Sequence, residues 1–216
     1  TDRPYPAQPS HLGERLELVL DVGLREDLKQ LAQQHGVTLS TVLLAVFKTL
    51  LYRYSGQADI RVGGLIANRN RSELEPLIGL FLNTQALRID LSADPSVAEL
   101  LAQVRAIALA AQEHQDLPFE QVIEALNPSR SMAHAPLYQV VLAMQNTPEE
   151  ELTLPGLQIA SMPVGQVSAQ VDLWWSINDS DAGLRGSVIY ASTLFDRATV
   201  QRWTRMWIAL LQAMAA

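Results

Sequence analysis

The chain has 216 residues, of which 48% are apolar and 18% charged. A disordered segment would be poorer in apolar residues and richer in charge, so a globular protein with a sizeable core is expected. Sixteen Lys and Arg against 23 Asp and Glu leave a formal charge of −7, which gives no electrostatic footprint for nucleic acid or for an anionic lipid surface.

Cysteine is absent, which removes disulfides, thiolate metal sites and cysteine nucleophiles together. The apolar run Val42 to Phe47 is stopped by Lys48, far short of the roughly 18 residues a membrane span needs. Thr1 to Ser10 carries three prolines and lacks the basic start and apolar run of a signal peptide. The expectation is a cytoplasmic protein with neither nucleic acid nor membrane as partner, whose residues 1–13 are a linker.

In chain order, Leu16, Leu18 and Leu20 alternate with Arg15, Glu17 and Val19, the period of a strand. Asp21 is placed to cap a helix with the buried stripe Leu24, Leu28 and Leu31, ended by Gly36. Thr38 or Ser40 opens a second helix, Leu39 to Tyr54, so apolar all round that it reads as central and buried. Ile60 to Ala67 is a short strand, Asn68 to Arg71 a polar loop, and Ile78 to Leu91 extended. Asp94 as cap and Pro95 as first residue start a long helix that ends near His114. Pro118 starts a short helix, Phe119 to Leu126, with Glu120 in its first turn where the macrodipole favours an anion.

Strands follow at Leu137 to Gln145, Leu157 to Met162, Val171 to Asn178 and Leu184 to Ala191, the last two joined by a hairpin-type loop from Asp179 to Gly183. Adjacent Trp174 and Trp175 point to opposite faces, one into the core. Glu149 to Glu151 reads as a solvated loop. Asp196 caps a final helix containing Trp203 and Trp207. Mixed strands and several long helices indicate an α/β or α+β layered fold.

The four histidines, His11, His35, His114 and His134, include no adjacent pair, and no nucleophile elbow, phosphate loop, dinucleotide fingerprint or metal-binding histidine pair occurs. His114 and Asp116 lie near Ser129, Ser131 and His134 in sequence, but a catalytic triad is recognised by geometry, not by such proximity. The physical reading of His114 to Glu120 is a helix–loop–helix junction. Free backbone groups there need partners, which the side chains of His114, Gln115 and Asp116 are expected to supply.

Taken together, three segments resemble motifs of the condensation domains of nonribosomal peptide synthetases. Ile78-Gly79-Leu80-Phe81-Leu82-Asn83-Thr84, continuing to Arg88, is similar to one of them. His114-Gln115-Asp116-Leu117-Pro118-Phe119-Glu120 is similar to the next. Asn127-Pro128-Ser129-Arg130 with His134-Ala135-Pro136-Leu137 resembles the third, with Ala135 where Asn is more usual. Thr1 to Pro4, Tyr52 to Gln57, Ile66 to Arg69, Asp172-Leu173 and Leu194 to Asp196 extend the likeness.

The family's His-His-x-x-x-Asp-Gly motif does not occur, so the resemblance identifies residues 14–216 with the C-terminal half of such a domain, one lobe of a chloramphenicol-acetyltransferase-like fold with a mixed sheet flanked by helices. It implies a part in joining a carrier-bound acyl or peptidyl donor to a carrier-bound aminoacyl acceptor, both on phosphopantetheine arms. No catalytic residue and no metal are expected in this half. Asn83, Thr84 and Gln85 are the tunnel candidates. Asn83 equally admits a plain backbone-bonding role. His114, Gln115, Asp116, Pro118, Phe119, Glu120, Arg130, Pro136 and Asp172 are the structural motif residues. Implied partners are the N-terminal lobe, donor and acceptor carrier proteins and a following adenylation domain, in a bacterial synthetase. The alternatives are a non-catalytic recruitment domain of the same superfamily, or an epimerisation or heterocyclisation relative.

Overall fold

A computed structural model describes residues 1–8, 10–69, 71–129, 131, 134–145, 156–157 and 167–216. The leucine alternation forms β1 (Leu12–Leu20), with Leu16, Leu18 and Leu20 buried. Asp21 caps α1 (Val22–Gln34) by accepting from Leu24 N at 2.9 Å, and Gly36, at φ +60°, turns the chain toward Thr38, the cap of α2 (Leu39–Ser55). Helix α2 is buried along most of its length, as its apolar sequence demands. It also buries Lys48, whose Nζ donates to Leu87 O at 2.6 Å and whose pKa burial lowers to about 7.

The remaining elements are β2 (Asp59–Ile66), β3 (Asn83–Asp90), α3 (Val97–Glu113), α4 (Phe119–Leu126), β4 (Val140–Gln145), β5 (Val167–Ser168), β6 (Leu173–Ser180), β7 (Gly183–Ala191) and α5 (Arg197–Ala215). They build one mixed seven-stranded sheet in the order β3-β2-β4-β6-β7-β1-β5. Strands β2, β4 and β6 are parallel neighbours, and the other pairs are antiparallel. Helices α1, α2, α3 and α5 join the buried side chains of the sheet in one core, the expected α/β arrangement. Trp175 sits at its centre between Phe47 and Trp207, each 5.1 Å away between ring centroids, while Trp174 on the opposite side is half-buried. Among the described residues no single helix is long and apolar enough to cross a membrane.

Several boundaries differ from expectation for identifiable reasons. Helix α3 is capped by Ser96 and not by Asp94, because Ser96 and Glu99 form a reciprocal capping box: Glu99 N donates to Ser96 Oγ at 3.4 Å and Ser96 N to Glu99 Oε2 at 2.8 Å. Asp94, at φ +47°, belongs to the preceding turn. The extended segment from Ile78 narrows to β3, since Arg69 draws the chain before it into a loop, donating to Leu74 O and to Gly79 O at 3.3 Å and lying 4.3 Å over the Phe81 ring. Leu137, at φ +66°, delays β4 to Val140. The β6–β7 hairpin is tighter than read, with Ser180 paired to Gly183 and Gly183 at φ +107°. Residues 158–162 of the expected Leu157 strand and Glu149 to Glu151 lie outside the described residues.

Asp196 occupies the cap position of α5 but makes no side-chain cap bond. Asp2 supplies it: its carboxylate accepts from Asp196 N at 2.8 Å and from Thr199 Oγ1 at 3.0 Å. Arg3 pairs with Asp196 and donates to Ser192 O, and the Tyr5 hydroxyl donates to the Asp172 carboxylate. The proline-rich start is therefore laid down on the entry to α5.

Candidate functional site: the meeting of three motifs

Side chains of a strand alternate between faces, and β3 separates its candidates accordingly. Asn83 and Gln85 turn to the helices and Thr84 turns away, so these three neighbours do not line one wall together. The Asn83 amide donates to Gln115 O at 2.9 Å and to Leu117 O at 2.8 Å; its oxygen accepts from Thr84 N at 2.9 Å and from Phe119 N at 3.2 Å. Gln85 donates to Ala111 O in the last turn of α3. The break between α3 and α4 is thus closed from β3, at the free carbonyls and the first α4 amide that a helix interruption leaves.

This changes the reading of His114. It is the exposed C-terminal cap of α3, its backbone N–H bonding Ala111 O at 3.2 Å, and among the described residues its side chain makes no hydrogen bond. Asn83 performs the service expected of that imidazole. Asp116 is also exposed, and Gln115 contributes its backbone carbonyl.

On the opposite face Thr84 lies beside Tyr138. Burial raises the Tyr138 pKa, the Thr84 hydroxyl opposes that shift, and the Glu120 carboxylate adds to it. The Tyr138 ring rests on β2 at Gly63, where an added Cβ would fall 2.7 Å from it, and its centroid is 5.4 Å from that of Phe119. Thr84, Phe119 and Tyr138 bring the segments 78–88, 114–120 and 134–138 to one corner of the sheet. Arg88, at the end of the first segment, bonds Asp59 at 2.8 Å, and Arg61 bonds the same carboxylate at 2.9 Å.

Exposed apolar side chains surround this corner: Leu77, Ile78, Leu80 and Leu82 before β3, Leu117 at the junction and Leu126 at the end of α4. Glu120 and Pro136 line a cleft of about 570 Å³ with Ile123, Glu124 and Asn127. This corner holds orienting groups and apolar walls, and no nucleophile and base stand paired in it.

A family model for the condensation domain matches residues 1–216. The chain belongs to the condensation domain family. It is 46% identical over 214 residues to the malpinin synthetase of Mortierella alpina and 44% identical over 217 residues to a linear gramicidin synthase polypeptide of Brevibacillus parabrevis. Those matches cover 99% and 100% of this chain but 3% of each synthetase. The X-domain in its complex with OxyB from teicoplanin biosynthesis superposes with a TM-score of 0.90 at 32% identity, over 99% of this chain and 48% of that one. This condensation domain sequence therefore spans about half the length of that solved chain.

Of the remaining motif residues, Pro118 occupies the cap position of α4 and Arg130 lies outside the described residues. Asp172 stands at the start of β6, its pKa raised by burial, and holds Tyr5. Sequence reasoning missed Gly63 and Tyr138. Their signal was the Gly63-Gly64 pair inside a strand, which marks close approach of another group.

Proposed function

We propose that this chain is the C-terminal half of a condensation domain whose whole joins two carrier-bound reactants through an amide bond. The acceptor amine attacks the donor thioester carbonyl; the C–N bond forms, the C–S bond breaks, the amine loses a proton and the donor thiol departs. Phosphopantetheine arms present both reactants, and the N-terminal half, two carrier proteins and a following adenylation domain are the partners. Holding tethered reactants in attack geometry supplies much of such an acceleration. This half furnishes walls and orientation, and we assign it no catalytic group.

The observation that carries the reading is the convergence of Thr84, Phe119 and Tyr138, one from each family motif, at one corner. Donor- and acceptor-loaded carriers should give amide with the intact domain and none above background with this chain alone. Turnover by this chain alone would overturn its supporting role. A second reading, recruitment of a tailoring enzyme, is favoured by the likeness to an X-domain solved in complex with OxyB. Under it, the intact domain would bind such an enzyme and form no amide.

A further inference from the structure

Asn83 joins the strand of one motif to the turn of the next through a single side chain. A side-chain amide offers two N–H donors and one oxygen with two lone pairs. Here both donors go to Gln115 O and Leu117 O, and the oxygen receives Thr84 N and Phe119 N. Nothing of the amide is left over for a substrate. What its bonds fix is nevertheless exposed: Leu82, the preceding residue, is 56% exposed, and Leu117, whose carbonyl it holds, is 46% exposed. No residue of α4 is buried, so few apolar contacts hold that helix in place.

We infer that Asn83 is a positioning residue for the condensation reaction: it locks the α3–α4 turn to β3, so that Leu82, Leu117 and the Phe119–Tyr138 pair form one rigid wall for the tethered reactants. The inference rests on the proposed amide-forming function. It differs from a substrate-binding role, in which the amide would bond a reactant directly, and from a purely structural one, in which only the amount of folded protein would matter.

The test uses the intact synthetase module with loaded donor and acceptor carriers. Asn83→Asp keeps the side chain's shape and its acceptor oxygen but loses both donors. Expected are hydrogen exchange at the backbone amides of 115–119 faster by about 10-fold or more, single-turnover amide formation slower by about 10- to 100-fold, and an unchanged half-saturating concentration of acceptor carrier. If that variant gives too little folded protein, the milder Asn83→Ser should fall between it and the parent in both exchange and rate. A slower reaction with raised half-saturation and unchanged exchange at 115–119 would make Asn83 a substrate ligand and overturn the inference. Faster exchange with an unchanged single-turnover rate would overturn it as well, leaving Asn83 purely structural. A parent module that forms no amide sinks the functional reading, and this inference with it, before any variant is compared.

Discussion

On the β6–β7–β1 side of the sheet, α5 and α2 enclose Trp175, Trp207, Tyr190 and Phe47, each at most 1% exposed. At the β3 edge, α4 buries none of its residues and is set in place by directed bonds from Asn83 and by one ring contact with Tyr138. Apolar burial is non-directional and sensitive to lost volume, whereas a hydrogen bond contributes little net energy and fixes direction closely. The first region therefore holds the fold, and the second holds a geometry. Substitutions in the first should be read in stability, and those in the second in the placement of segments.

The strongest challenge to this contrast is Trp175→Ala. It opens a cavity between Phe47 and Trp207 and should cost about 3–5 kcal/mol, measured by urea unfolding. A loss under about 1 kcal/mol would mean that the aromatic cluster is not what holds that side.

Lys48 is the polar exception within the apolar region. Its folded pKa, about 7, lies below the usual lysine value of 10.5, so the folded chain binds fewer protons than the unfolded one between those values. Stability should then rise with pH across that window, by at most about 1.4 kcal/mol per pH unit from this group, and the cost of burying its charge is fully present below pH 7. Lys48→Met should abolish that slope and raise the stability measured at neutral pH; an unchanged slope would show that the amine is already solvated.

The smallest effect is expected at the β3 edge itself. His114→Ala should change unfolding free energy by less than about 0.5 kcal/mol, since the imidazole is exposed and bonds no described residue. A larger destabilisation would return to His114 the capping role that Asn83 holds here.

What could be read from the sequence follows the same division. The apolar run of α2, the alternating leucines of β1 and the caps Asp21 and Thr38 depend on neighbours within a few residues, and the structure has them all. The start of α3 was misplaced because Asp94-Pro95 looks like a cap, while the reciprocal Ser96–Glu99 pair closes the helix two positions later. At the candidate site the residue types were visible but their partners were not. Asn83 meets carbonyls 32 and 34 positions downstream, and nothing local tells which of Asn83, Thr84 and Gln85 turns toward the helices until the strand's pairing is known. Asp2 makes the same point more strongly, because it caps a helix from 194 positions away.

That distant cap gives α5 a mechanical meaning. Residues 2 and 3 are fastened at its first turn, and Ala216 ends its last, so the two ends of this sequence are held apart by a rigid rod of 19 residues, about 28 Å long. Chain attached at either end is set at a defined separation and heading by that rod. One residue inserted into α5 would shift one attachment by about 1.5 Å and rotate it by about 100° relative to the other, leaving the sheet untouched.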